Sequence, residues 1–110
     1  MSTFDDLLTD RPAPVRSTAR AVRSFIHSLG GDVGEQIAGN EARYERGRVF
    51  CSLVIERSEV QLRFPARGAP SAARPARRGD KGIRSIGLRA PTDFSSAVRT
   101  LIRQAYEQAA

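Results

Sequence analysis

Nine basic side chains between positions 57 and 89 are the residues of this sequence best suited to binding chemistry. Residues 57–89 contain nine basic and two acidic residues and so carry +7, whereas residues 1–56 sum to −1 and residues 90–110 are neutral. Clustered positive charge is typical of a surface that binds a phosphate backbone. The candidate nucleic-acid-binding residues are Arg57, Arg63, Arg67, Arg74, Arg77, Arg78, Lys81, Arg84 and Arg89.

Most of these residues lie in a stretch whose composition is unlike the rest of the chain. Residues 65–82 contain three prolines, three glycines and no large apolar residue, which predicts a flexible basic loop at 65–82. A loop that only keeps the protein in solution is the structural alternative. The stretch lacks aromatic residues that could stack on bases, so any binding of nucleic acid is expected to be non-specific and sensitive to salt.

Residues that could support catalysis are few and scattered. Cys51 and His27 are the only residues of their kinds. Cys51 lies among apolar neighbours and is expected to be a small core residue, while His27 is expected to face solvent. No two acidic residues have a spacing typical of acid–base catalysis. The sequence therefore predicts a non-enzymatic binding module that needs neither a cofactor nor a metal ion.

A predicted β-hairpin is the element around which the chain is organised. Residues 49–55 and 60–64 are rich in β-branched and aromatic side chains, and a polar turn separates them. Strict alternation would place Phe50 on the face opposite Cys51. An edge strand within residues 41–46 and a last strand within residues 83–90 would complete a sheet of three to four strands.

Two amphipathic helices are predicted to cover one face of that sheet. The first carries an apolar stripe from Val15 to Leu29 and ends at Gly30 and Gly31. The second begins at residues 91–93, with Thr92 or Asp93 as its N-cap. The fold class is therefore α+β, with an antiparallel sheet and the N- and C-terminal helices packed on one face. A single domain over residues 1–110 is expected from the chain length.

The sequence also predicts where in the cell the protein is located. No apolar run approaches the ~18 residues that a membrane span needs. The first residues are acidic where a signal peptide would be basic, so a cytoplasmic protein without a membrane partner is expected.

Several local patterns follow one another along the chain. They are residues 28–33, Tyr44 and Arg46 before Phe50, and residues 60–64, 86–88, 91–94 and 101–107. Taken in this order, they resemble the bacterial domain of unknown function 5655, some members of which are labelled predicted transport proteins. The resemblance implies the small α/β fold of the YjbR-like proteins, some of which are labelled DNA-binding. It also implies relatives attached to nuclease or restriction-like modules. This chain departs from the family at residues 77–82, where an aromatic, glycine-rich run with Trp is usual and no Trp is present.

A groove between helices and sheet offers a second candidate function, the binding of a protein or a small ligand. Tyr44 and Tyr106 could line such a groove. The alternative is that both rings lie at the edge of the core with solvated hydroxyl groups. In that second function the basic loop would serve only solubility, and the identity of a protein partner is unknown.

Overall fold

A computed structural model of the chain describes residues 3–65, 74–75 and 83–109. The helices are α1 (Phe4–Leu8), α2 (Ala13–Ser28) and α3 (Ser96–Gln108), and a 3-10 turn (Pro91–Asp93) precedes α3. The strands are β1 (Gly34–Ala38), β2 (Glu41–Glu45), β3 (Val49–Ile55), β4 (Val60–Pro65), β5 (Arg74–Pro75) and β6 (Ile83–Leu88). This is an α+β fold, as predicted.

The strands form one antiparallel sheet in the order β1–β2–β3–β4–β6–β5. The predicted hairpin is confirmed as β3–β4. The predicted number of strands was too low, because residues 34–45 form a second hairpin whose turn contains Gly39 with a φ of 61°. Such a φ suits glycine, which has no Cβ to clash. The two-residue strand β5 lies within the predicted loop, of which residues 66–73 and 76–82 are outside the described part.

Helices α2 and α3 pack side by side on one face of the sheet. Both contact β3, and they contact each other. The rings of Phe25 in α2 and Phe94 just before α3 meet edge to face, with centroids 5.7 Å apart. The predicted apolar stripe of α2 is buried, and Ile26 and Ile102 are fully inaccessible against Leu53 and its neighbours in the core. Burial of these apolar faces is the main source of stability for both layers.

Strict alternation fails at Phe50. The register of β2 against β3 pairs Tyr44 with Cys51 but Glu45 with Val49, so Phe50 is an extra residue on β3. A β-bulge of this kind changes the direction of the extra side chain. Phe50 is buried, and its ring lies edge to face with Tyr106 of α3 at 5.7 Å. The prediction that Phe50 lies opposite Cys51 was therefore wrong.

The last helix begins later than predicted. Its N-cap is Ser95, whose hydroxyl accepts a hydrogen bond from the N–H of Val98 at 3.4 Å. Asp93 instead closes the turn after β6, because its carboxylate accepts the N–H groups of Arg89 and Ala90 at 2.9 and 3.3 Å. Asp93 thus satisfies backbone donors in the way a cap does, but for the 3-10 turn and not for α3.

Candidate nucleic-acid interface

The sheet face away from the helices, here called the outer face, carries basic positions on alternate strands. The ladder pairs align Gln36, Arg43, Ser52, Arg63, Ser85 and Arg74 across β1, β2, β3, β4, β6 and β5. Leu53 and Leu62 are buried beneath the helices, so by alternation the side chains of Ser52 and Arg63 point to the outer face. Adjacent strands lie about 4.8 Å apart, so basic positions on every second strand repeat at about 10 Å.

Arg63 is held in place on this face by a neutral partner. Its Nε and Nη2 atoms donate to Oε1 of Gln61 at 3.3 and 3.0 Å. With the described residues Arg63 forms no ion pair. Arg43 donates to Glu41 at 2.7 Å, yet 52% of its side chain remains exposed. The geometry of Arg63 is therefore fixed without neutralising its charge.

Two further candidates have described side chains. Arg57 is exposed in the β3–β4 turn, and Arg89 is exposed directly after β6. Neither forms an ion pair with another residue of the described ranges. Both remain available to an anionic partner.

The other candidates are described in part or not at all. Arg74 pairs with Ser85 through the backbone, and Arg84 pairs with Phe64 and Pro75. The β4 partner of Arg84 is therefore the buried Phe64, which is the residue next to Arg63 on β4. The remaining candidates, which lie outside the described residues, are Arg67, Arg77, Arg78 and Lys81.

A cleft of about 610 Å³ lies beside this row, at the end of the sheet where β3 turns into β4. Arg11, Arg57 and Arg63 line it together with acidic, amide and apolar groups. Arg11 reaches the cleft from the turn between α1 and α2. The Nε atom of Arg11 is buried and has no hydrogen-bond partner among the described residues. Three arginines from separate parts of the chain therefore meet at one cleft.

Sequence reasoning missed Arg11 and Arg43, because both lie outside the stretch that carries the excess charge. Arg43 could have been found from alternation in β2, since Ala42 and Tyr44 on either side are apolar and point inward. No comparable sequence pattern indicates a binding role for Arg11. Arg11 reaches the cleft that Arg63 also lines only because α1 and α2 pack against the sheet.

A second charged cluster joins α2 to the edge strand β1. Arg23 donates two hydrogen bonds to the Glu35 carboxylate at 2.8 and 3.0 Å, and Nε2 of His27 lies 3.3 Å from Oε2 of Glu35. Burial alone would raise the pKa of Glu35, but the hydrogen bond from Arg23 and those of its neighbours outweigh burial and lower this pKa below 4.5. The cluster fastens β1 to the helix layer. His27 itself is exposed, as predicted.

The two tyrosines occupy different environments. Tyr44 is fully buried, so the expectation of a solvated hydroxyl was wrong for this residue, and burial raises the pKa of its hydroxyl far above the ordinary value. Tyr106 is partly exposed at the edge of the core, as that interpretation predicted. Cys51 is fully buried, which raises the pKa of its thiol and suits the predicted role as a core residue.

The described part of the chain contains neither a metal-binding cluster nor a helix that could span a membrane. No group of three or more His, Cys, Asp and Glu residues there is placed to hold a metal ion. The longest described helix, α2, has 16 residues, and none of the described helices meets the length and apolarity of a bilayer span.

Fold and surface together define a small α+β domain that carries two helices on one face of its sheet and arginines on the other. The family described as Domain of unknown function (DUF5655) matches residues 4–109, and the chain belongs to this family. The predicted resemblance is thereby confirmed, while the transport label and the YjbR-like fold stay predictions. No curated protein and no solved structure matches the chain. Because family membership here carries no activity, function has to be argued from the surface itself.

Proposed function

We propose that this protein is a non-enzymatic module that binds nucleic acid by its phosphates, across the outer face of the sheet. The observation that supports this most is the alignment of Arg43, Arg63 and the backbone position of Arg74 on alternate strands. A repeat of about 10 Å spans about three phosphates of one duplex strand, since the axial rise is about 3.4 Å per nucleotide. The sheet therefore offers cations at a spacing that a phosphate backbone can meet.

The composition of the outer face favours contacts with the backbone over contacts with bases. Ser52 and Ser85 stand between the arginine positions. The next ladder level along the sheet consists of Ala38, Glu41, Val54, Gln61 and Gly87. None of these described residues is aromatic, so this face provides no ring for base stacking. Binding is therefore expected to tolerate any sequence and to weaken steeply with salt.

Other predicted residues extend this proposal. Arg57 and Arg89 add exposed charge at the ends of β3 and β6. The candidates outside the described residues, and a cytoplasmic location, remain predictions. So does the alternative function in a groove between helices and sheet. Two cavities lined by described residues lie elsewhere, one at the end of the sheet where β3 turns into β4 and one between α1 and α2.

The proposal is tested by fluorescence anisotropy with a labelled duplex of arbitrary sequence at two salt concentrations. Three phosphate contacts predict a log–log salt slope of about −2.7, and hence about 40-fold weaker binding at about 200 mM than at about 50 mM salt. Arg63→Ala should reduce the slope by about one unit. The matched control is Arg16→Ala, which removes the same charge from an exposed position on α2. Equal losses in the two variants, or no binding to duplex or single strand, would contradict the proposal.

A further inference from the structure

We infer that the cleft lined by Arg11, Arg57 and Arg63 is a separate binding site for a phosphate monoester on a hydroxylated carrier, of the size of a sugar phosphate. This goes beyond contact with a polymer along the outer face. It assigns a compact ligand to a defined cavity, and it gives Arg11 a role that the arginine row does not need.

The turn that carries Arg11 is held in one conformation. Asp10 has a φ of 63°, in the left-handed region, which is uncommon for residues with a side chain although Asp adopts it more readily than most. The N–H of Arg11 donates to the carbonyl oxygen of Leu8 at 3.1 Å, and the Leu8 side chain is buried in the core. A backbone in a sparsely populated region persists only where its surroundings determine it. The turn therefore fixes the position from which Arg11 enters the cleft.

The Nε–H group of Arg11 lacks the partner that a buried donor normally has. Its nitrogen is buried, and no acceptor among the described residues lies within hydrogen-bond distance. Buried donors in folded proteins are nearly always paired, and an unpaired one is costly. Because this nitrogen is closed to solvent, a ligand in the cleft would instead meet the Nη groups of the same half-buried side chain. Because a guanidinium group presents parallel N–H donors that match phosphate oxygens, a phosphate is the favoured anion.

The charge balance of the cleft favours an anion. Three arginines line it against two carboxylates, Glu41 and Glu56. Glu41 also pairs with the guanidinium of Arg43 at 2.7 Å, which offsets part of its charge. The excess positive charge therefore belongs to the arginines that face the cavity.

The size and lining of the cleft indicate what the phosphate is attached to. A volume of about 610 Å³ exceeds that of a phosphate ion and falls within the range of small-molecule sites. Asn40 donates its amide N–H to the carbonyl of Ile55, which leaves its own amide oxygen free to accept a ligand hydroxyl. The described residues that line the cleft include no aromatic ring to stack on a base. Recognition therefore depends on phosphate and hydroxyl groups.

The test is isothermal titration calorimetry of the full chain with ribose 5-phosphate, and with ribose as the matched ligand without phosphate. We expect saturable binding of ribose 5-phosphate alone. In Arg11→Ala the affinity should fall by about tenfold or more, as for loss of a hydrogen bond to a charged group. In Arg16→Ala it should be unchanged. No saturable binding to the unaltered protein, or equal affinity in the Arg11 and Arg16 variants, would overturn the inference.

A thermal melt of each variant checks that it is folded. If Arg11→Ala does not fold, Arg11→Lys takes its place, because lysine keeps the charge but loses the planar pair of donors. Weaker binding of ribose 5-phosphate by folded Arg11→Lys supports the inference, and unchanged binding overturns it.

Two further ligands distinguish the source of the phosphate. A duplex with 5′-phosphate ends that binds more tightly than the same duplex with 5′-hydroxyl ends would assign the cleft to strand ends, whereas equal binding would assign it to free sugar phosphates. Retained binding of ribose 5-phosphate without any duplex binding supports the cleft and contradicts only the proposed function. Salt-sensitive duplex binding without binding of any phosphate monoester overturns the cleft and leaves the proposed function intact.

Discussion

The hydroxyl of Tyr106 donates a hydrogen bond to Oδ1 of Asp32 at 2.7 Å, although 74 positions separate these residues in the chain. Arg46 completes the junction, since its Nε donates to Oδ2 of Asp32 at 2.8 Å and its guanidinium lies 4.2 Å from the centroid of the Tyr106 ring. Arg46 also donates to the carbonyl oxygen of Tyr106 at 3.1 Å, in the last turn of α3, where the helix dipole favours a cation. The turn after α2, the end of β2 and the end of α3 are thus held together at one point.

This junction gives the family resemblance a physical basis. Residues 28–33, Arg46 and residues 101–107 were recognised as separate local patterns, and the structure brings them into contact. Their shared role is to position α3 on the sheet. The resemblance therefore reports on the fold.

Gly30 is predicted to be required at this junction. A Cβ at position 30 would collide with the Tyr106 hydroxyl and lie 2.7 Å from Oδ1 of Asp32. We expect Gly30→Ala to lower the free energy of unfolding by about 1 to 3 kcal/mol, the usual range for overpacking, as measured by urea denaturation. Gly31→Ala is the matched control, because a Cβ at position 31 meets nothing within 4 Å. Equal stability of the two variants would show that Tyr106 moves aside at no cost.

The Glu35 carboxylate predicts a loss of stability in acid. Hydrogen bonds from Arg23 and its neighbours outweigh burial and lower the pKa of Glu35 in the folded state below 4.5. This stabilisation is therefore present above the unfolded-state value and is lost as the pH falls through the folded-state pKa. Glu35→Gln should lower the free energy of unfolding near pH 7 by about 1 to 2 kcal/mol, between the values for exposed and buried pairs.

The same variant should flatten the pH dependence of stability below 4.5, as urea titrations at several pH values would show. Glu107→Gln is the control, since Glu107 is exposed near the end of α3 and forms no ion pair within the described ranges. An unchanged pH profile in Glu35→Gln would contradict the assignment of acid sensitivity to this cluster.

A negative charge placed within the arginine row should abolish most binding to nucleic acid. Ser52 pairs with Arg43 on one side and with Arg63 on the other. Ser52 is only 8% exposed, so a thermal melt first checks that Ser52→Glu is folded. In the folded variant the new carboxylate would neutralise both arginines, and the salt slope of duplex binding should fall by about two units. Gln104→Glu adds the same charge at an exposed site on α3 and should change the slope little. Similar slopes for both variants, in the anisotropy titration, would argue against the outer face as the binding surface.

The buried hydroxyl of Tyr44 is predicted to contribute nothing to stability at neutral pH. Glu35 lies close enough to help raise the pKa of this hydroxyl, but no hydrogen bond of ordinary geometry joins it to a described residue. Replacing an unpaired buried polar group by an apolar one is neutral or stabilising, so Tyr44→Phe should leave the free energy of unfolding unchanged or raise it by up to about 1 to 2 kcal/mol. A loss of more than about 1 kcal/mol in urea denaturation would reveal a partner for this hydroxyl.

The alkaline limb of the stability profile gives an independent check on Tyr44. Burial raises the pKa of its hydroxyl far above 10.0 in the folded state. Ionisation of this group therefore leaves stability unchanged below the unfolded-state value, and stability declines as the pH rises beyond about 10. Tyr44→Phe should lessen this decline. A profile identical to that of the unaltered protein would contradict the assignment.

Much of the fold follows from local pattern alone. The apolar stripe of α2 and the two apolar runs of the β3–β4 hairpin are set by the periods of helix and strand, which depend on neighbouring residues only. These elements were predicted correctly. The β1–β2 hairpin was not predicted as a whole, because residues 34–45 show only a weak alternation of apolar and polar residues. An edge strand with one solvated face needs few apolar residues.

Composition and local periodicity are enough to predict an α+β chain with apolar stripes for two helices, a central hairpin and an excess of arginine in its middle third. Which of these charges lie together depends on the tertiary structure. Strand order and register bring Arg43 and Arg63 onto one face, and helix packing brings Arg11 to the cleft that Arg63 also lines. The physical reason is that the sequence gives only the number of charges and their positions along the chain. A binding surface depends instead on the distances between side chains on strands that are remote in sequence.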